Sequence, residues 1–481
     1  MSRDIERQAA AGLKWSSVAK ITGQAVSWAV TIVVFRLLSP GDYGLMALSM
    51  VLISIVAGVA EFGLGSSLVQ MPTLDTRDLA RVAGALAALN IGCGLIIVLG
   101  APVFAELLGN AALTPIIQVL SVQFLLTAIE CIPQALAYRR MDFRRLAGIE
   151  LASTLLGALT TLTLAWLGAG VWALVAGTLG AGALRTILYV ALGGFVWPSF
   201  NLRGIGHHIR FGGAVTASRL LWQATSQADI VIAGRMFSQQ TVGLYSVSMH
   251  LASLPMTKVM SIINHVAFPA VARLQGEMPR LKQRFLDAMR LLSLAALPVM
   301  WGISAVAHEF VDILLGEKWH PSIPALRLVA FVTPFRMLAA VLSTALTAVG
   351  RADLDLQNTI VGAIVMPLAF IIGAHYGGLS GLAVSWVVAV PIVFMLTFPR
   401  TLPALSFTIG DLAAAVRAPM IAGLVMYLAV TVARIPMQDL EEAVRLGPLV
   451  IVGAAAYGLT IWLLDRTIWT DVQKLAAGLR G

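Results

Sequence analysis

Apolar residues fill the chain in runs of about twenty, separated by short polar stretches and without strand-like alternation. A run of that length crosses roughly 30 Å of hydrocarbon as a helix, and a helix satisfies its own backbone where water is absent. The pattern predicts spans near 14-36, 45-70, 82-103, 114-137, 146-167, 171-192, 211-235, 242-268, 285-307, 323-349, 357-374, 379-399, 411-433 and 446-465, about fourteen in all. The expected fold class is an all-α polytopic membrane protein. The apolar part of the first segment is too long for a signal-peptide core, and no small-residue cleavage site precedes Arg36, so it reads as a retained anchor.

Within the first span, Ser17, Lys20, Gln24 and Ser27 stand a helical turn apart on one face. The stripe occurs twice. A shift of 199 positions lays Thr216, Arg219, Gln223 and Ser226 on it, and lays Arg36 on Arg235, Ser39 on Ser238 and Gly44 on Gly243. Further along the offset becomes 209, so that Pro115 matches Pro324 and Gly168 matches Gly377. The expectation is two parallel six-helix repeats, 1-200 and 201-405, followed by 406-481 with two extra transmembrane helices and an amphipathic cytoplasmic tail. That tail carries Ile468, Trp469, Val472, Leu475 and Leu479 near one face. The glycines and alanines of Gly168 to Gly182 are expected to let helices approach closely.

Composition agrees, with 58% hydrophobic residues, only 12% charged ones and a mean hydropathy of +0.86. The net charge of +9 does not mark a nucleic-acid protein, because the basic residues sit in short loops. Arg3 and Arg7, Arg77 and Arg81, the group Arg139, Arg140, Arg144 and Arg145, then Arg203 and Arg210, then Arg273 to Arg284 all fall on one side. That side is cytoplasmic by the positive-inside rule, which places both termini there. The opposite loops are short or acidic, with Glu309, Asp312 and Glu317, then Asp439, Glu441 and Glu442. Cys93 and Cys131 lie in spans, which argues against a disulfide or a thiolate metal site.

Candidate chemistry lies in the polar residues of the spans. A cation in hydrocarbon costs about 2.5–3.5 kcal/mol on insertion scales, so Lys20 and Arg219 point to a water-filled or anion-holding space. Snorkelling to lipid phosphates is the alternative for both; Gln24 and Ser27 extend the stripe further inward than snorkelling explains. For Arg36 and Arg235, at span ends, snorkelling is the favoured reading. Lys258 nearly coincides with Glu61 under the 199 shift, and the two read either as a structural ion pair or as a ligand or proton site. Glu61 and Asp229 are the candidates for proton or Na+ coupling, and Arg327 and Arg336 are further cations in the tenth span. Glu130 and Glu150 are expected to pair with the arginine-rich loop between them. No GxxxxGK[ST] loop occurs, which excludes direct ATP hydrolysis, and His207, His208, His250 and His265 lack metal-site spacing. No cofactor is expected.

Arg36-Leu-Leu-Ser-Pro-Gly-Asp-Tyr-Gly-Leu45, Glu61-Phe-Gly-Leu-Gly and Ser67-Leu-Val-Gln70 resemble the bacterial polysaccharide flippases of the MOP exporter superfamily. Gly168-Ala-Gly-Val-Trp-Ala-Leu-Val175 supports the resemblance more weakly. It implies two six-helix bundles forming a V, a cationic central cavity and alternating access in the bacterial inner membrane. The implied substrate is an undecaprenyl-diphosphate-linked oligosaccharide, exported for exopolysaccharide, capsule or O-antigen synthesis, with polysaccharide polymerase and chain-length machinery as partners. Lys20, Arg219 and Lys258 would then meet the diphosphate, and Gln24, Gln223 and Gln227 the sugar hydroxyls, with Ser27 and Ser226 completing the lining. A peptidoglycan lipid-precursor flippase or a cation-coupled multidrug exporter would share the fold. The basic stripe opposes the exporter, and the short outer loops oppose a polymerase or ligase enzyme.

Overall fold

The computed structural model describes residues 23, 27–60, 76–139, 143–200, 223–255 and 278–465. Ten helices in it are long and apolar enough to cross a membrane, and among the described residues there is no strand. One of the ten, Ala352–Ala404, has 53 residues. That is roughly 80 Å of helix, enough for two crossings. It breaks at Gly378, whose φ of 56° and ψ of −139° suit glycine alone. The two spans expected on either side of this point are therefore both present. Gly170, at the turn before the sixth span, has nearly the same backbone, φ 57° and ψ −135°. The two turns share one such glycine, and the first carries a second left-handed one, Gly168 at φ 78°. The total of fourteen rests partly on stretches outside the described residues.

The chain divides into two compact units, Met1–Gly243 and Leu244–Gly481. In the first, α1 is Ser27–Leu37, α2 Pro40–Ala60, α3 Thr76–Leu107, α4 Leu113–Leu120, α5 Val122–Arg139, α6 Phe143–Trp166, α7 Val171–Gly193 and α8 Ala228–Met236. Helix α9, 239–255, begins in the first unit and carries the chain into the second. There follow α10 Met278–Ala305, α11 Ala307–Leu314, α12 Ile323–Ala348, α13 Ala352–Ala404, α14 Ile409–Arg434 and α15 Glu442–Leu464.

Local chemistry sets where α2 and α9 start. Ser39 caps α2: its hydroxyl donates to Asp42 Oδ2 at 2.6 Å, its N–H donates to the same oxygen at 2.9 Å, and Pro40 takes the first helical position. Ser238, the duplicate of Ser39, accepts from the Thr241 N–H at 3.3 Å. The two helices cross where their duplicate glycines lie. A Cβ on Gly44 would overlap the carbonyl oxygen of Gln239, and one on Gly243 would overlap that of Pro40. Gln239 is the duplicate of Pro40, so the contact is reciprocal within the first unit. Asn110 Nδ2 adds a bond to Gln239 Oε1 at 3.0 Å.

Small residues do what the Gly168 to Gly182 stretch predicts. A Cβ on Gly177 would run into Thr161 Oγ1 and one on Gly157 would lie 2.7 Å from Ala181 Cβ, so α6 and α7 touch nearly backbone to backbone.

In the second unit α14 and α15 pack on α10 through Leu297, Trp301, Met426, Val430 and Leu449. Ion pairs hold this extension at both ends. At one, Lys282 Nζ meets Asp411 Oδ2 and Arg290 meets Asp465 Oδ2, each at 2.6 Å. At the other, fully buried Glu309 of α11 takes Arg434 at 2.7 Å and Arg445 at 2.9 Å. Glu309 is therefore a buried counter-ion and not the exposed loop acid that its sequence neighbours suggest.

Candidate functional site

Helical periodicity put one polar face into the first span of each copy, and the structure describes part of it. Lys20, Gln24, Glu61, Arg219 and Lys258 lie outside the described residues. Ser27 opens α1 half-buried, and its carbonyl accepts from Thr31 Oγ1 at 2.7 Å. Gln223 is half-buried and Ser226 exposed. The second stripe then bends: Gln227, at φ −109° and ψ 0°, separates the turn 223–226 from α8. Its Nε2 donates to Ser54 Oγ of α2 at 3.2 Å, so this glutamine is tied into helix packing. Asp229 is buried at 1% exposure in the first turn of α8, where Oδ1 accepts the Ile230 N–H at 2.9 Å. A carboxylate there complements the positive helix end. The structure brings Gln227 and Ser54 together.

A buried pair that the sequence reading missed lies in α5 and α7. Glu130, 4% exposed, accepts from Arg185 Nε at 3.1 Å and from its terminal nitrogen at 2.8 Å, and from Thr186 Oγ1 at 3.0 Å. Glu150 accepts from the hydroxyl of fully buried Tyr189 at 3.2 Å. This corrects the expectation that both glutamates serve the arginine-rich loop. Arg185 stands out in the apolar run Val171–Gly193 and could have been flagged from sequence; its partner depends on how α5 meets α7. Glu130→Ala is expected to cost about 1–3 kcal/mol, discounted because the arginine is a third exposed. Adding Arg185→Leu should recover part of the loss. Unfolding in mixed micelles would measure both, and additive losses would argue against the pair.

In the second unit, Arg327 has a buried Nε without a hydrogen-bond partner among the described residues, and its carbonyl accepts from Ser304 Oγ at 2.8 Å. Arg336 lies with its guanidinium carbon 4.0 Å from the centroid of the Trp386 ring. Among the described residues no group of three or more His, Cys, Asp or Glu side chains could hold a metal ion.

The family model described as polysaccharide biosynthesis protein matches residues 33–324, well over half of the chain. The chain belongs to that family. It is 24% identical to the lipopolysaccharide biosynthesis protein WzxC of Escherichia coli K12, over 79% of this chain and 78% of the relative. It is 27% identical to the teichuronic acid biosynthesis protein TuaB of Bacillus subtilis, over 69% of each. It is 25% identical to the succinoglycan biosynthesis transport protein ExoT of Rhizobium meliloti, over 96% of this chain and 94% of the relative. The fold is shared with the lipid II flippase MurJ in an inward closed conformation, at a TM-score of 0.72 and 12% identity over 94% of this chain and 99% of that one. An inward-facing multidrug MATE transporter of the MOP superfamily follows at 0.61 and 18% identity, over 79% and 95%. This polysaccharide biosynthesis protein is thus a multi-pass membrane protein with the MOP fold.

Proposed function

We propose that the protein is a flippase that carries undecaprenyl-diphosphate-linked oligosaccharide repeat units across the bacterial inner membrane by alternating access, with both termini cytoplasmic. Family membership carries the reading: the relatives named above serve the synthesis of three different polysaccharides, and one of them is named as a transport protein. The chemistry fits. Such a substrate joins an isoprenoid that bilayer lipid can hold to a diphosphate and a glycan that hydrocarbon rejects. Lys20, Arg219 and Lys258 would offer charge-assisted donors to the diphosphate, while Gln24, Gln223, Ser27 and Ser226 would offer the exchangeable hydrogen bonds that sugars need. Gln227 would act through its bond to Ser54. Transport makes and breaks no covalent bond. Energy would come from proton or Na+ flow through Glu61 and Asp229, and the product would pass to a polymerase and chain-length machinery.

The MurJ-like fold favours a second reading, a peptidoglycan lipid precursor as cargo. One experiment separates the two. In a deletion strain, single diphosphate-linked repeat units are expected to accumulate, shielded from a membrane-impermeant glycan-modifying probe until the cells are opened. Accumulation of lipid II instead would transfer the assignment, and repeat units reaching the outer leaflet would refute translocation. Lys20→Ala and Arg219→Ala, expressed at the normal level, should each cut export about tenfold, the loss of one charge-assisted contact. Full export by the double variant would sink the cavity assignment.

A further inference from the structure

Gly84 of α3 is buried where the pattern of its helix calls for exposure. At about 100° per residue it lies within about 60° of Ile91, Leu95 and Leu99, whose side chains make the exposed apolar face of α3. Hydrocarbon covers such a face in a membrane-spanning helix. What covers Gly84 instead is the chain leaving α7. Gly194, at φ 77°, turns it out of the helix, and the non-helical segment 194–200 then crosses α3 as a strap. The Ser199 N–H donates to the Ala80 carbonyl at 2.8 Å, and a Cβ on Gly84 would overlap the Ser199 carbonyl oxygen. Val196 packs into the cluster of Val82, Leu86 and Ile132 between α3 and α5.

Three aromatic rings of the strap are left outside. Phe195, Trp197 and Phe200 are 45%, 81% and 64% exposed. Phe195 and Trp197 meet edge to face with centroids 5.2 Å apart, while Val196 between them packs inward. The rings therefore extend the exposed face of α3 past its last leucines and isoleucines. Two constraints set their depth. Non-helical backbone on a lipid-facing side is excluded from hydrocarbon, so the strap lies no deeper than the headgroup boundary. Leu107, at the other end of the same helix, is about 34 Å from Gly84 at the usual helical rise, against roughly 30 Å of hydrocarbon. The strap thus falls at the boundary itself, the zone that favours tryptophan.

We propose that Phe195, Trp197 and Phe200 form a lipid-binding anchor that lodges in the headgroup boundary of the leaflet at which α7 ends. Gly84 is the seat that lets the strap lie flat on α3. The assignment needs only the multi-pass membrane fold and goes beyond the flippase reading, whatever the cargo.

The test uses the full-length protein in phosphatidylcholine nanodiscs, either plain or brominated at a chosen depth in the acyl chains. Trp197→Phe removes one of the eleven tryptophans, so the difference between wild type and variant isolates the emission of that residue. With bromine next to the headgroup this emission should fall at least twofold; with bromine at the chain ends it should fall less, and aqueous iodide should leave it unchanged. Quenching by iodide puts the ring in water, equal or stronger quenching from the chain ends puts it in the hydrocarbon, and no response to any quencher puts it inside the protein; each overturns the anchor. A nitroxide on Phe200→Cys, in a background lacking Cys93 and Cys131, reads the same boundary independently. Its relaxation by oxygen should exceed that by an aqueous nickel complex, and the reverse order overturns the anchor at that ring. Gly84→Val, which forces the Ser199 backbone off α3, should make this label several times more mobile; a label equally restrained would show that Gly84 is not the seat.

Discussion

Gly44→Val is expected to abolish export, and Gly44→Ala to impair it strongly. The reason is the atom that the new side chain would meet. A Cβ on Gly44 overlaps the carbonyl oxygen of Gln239, and it stands 3.0 Å from the Gly243 nitrogen, so no rotamer change relieves the clash. The helices starting at Pro40 and 239 must separate. Overpacking of this kind costs about 1–3 kcal/mol in ordinary cores and more where backbone must move. The duplicate substitution, Gly243→Ala, drives its Cβ into the Pro40 carbonyl and should have the same effect. Cysteines at 110 and 239, whose native side chains bond at 3.0 Å, report the geometry in a background lacking Cys93 and Cys131. Oxidation should cross-link them readily when Gly44 is intact and poorly in the Gly44→Ala variant. Equal cross-linking and normal export would show that the close crossing has no role.

Removing the Glu309 carboxylate is the second large effect. Glu309 is 0% exposed and is shared by Arg434, 2.7 and 3.0 Å away, and Arg445, 2.9 Å away. Arg445 is itself 6% exposed and also reaches Glu442 at 3.3 Å. Glu309→Ala leaves two guanidinium groups beside an apolar gap, so a loss of about 3–5 kcal/mol is expected. Glu309→Gln keeps the shape and one acceptor and should lose less. Because both arginines come from α14 and α15, the damage should show as early release of the extension, read as new protease cleavage between Thr401 and Ile409. Unfolding in graded detergent would give the energy. An alanine variant as stable as wild type would mean that the ion pairs add nothing to docking.

How much of this was legible beforehand depends on the range of the interaction. Helix identity is local. The runs that predict spans at 82-103, 114-137, 171-192 and 446-465 reappear as Leu79–Leu107, Leu113–Ala137, Val171–Leu192 and Glu442–Leu464. The break between 374 and 379 falls on Gly378. Caps are local too, so Ser39 and Ser238 were visible as duplicates and act as matching helix starts. Family membership was also legible, since its signature lies in short contiguous stretches.

Ion-pair choice was not. Sequence distance suggested that Glu130 would join the arginines of its own loop, yet it lies 55 positions from Arg185 and bonds to it because α5 and α7 pack side by side. Glu309 looked like a loop acid until helix α11 carried it beneath α14 and α15. The stripe of Lys20 and Arg219 remains a sequence-level proposal, while Arg336 was visible only as a cation in a span.

Amino-acid order by itself determined the membrane class, the placement of several helices and the family, because each is encoded in periodicity or in neighbouring residues. Tertiary structure decided which duplicate glycines touch, which arginine Glu130 and Glu309 each meet and which arginine lies over an indole. Those outcomes depend on the rotation and depth of packed helices, set by the summed fit of many side chains, and no single stretch of sequence carries that sum.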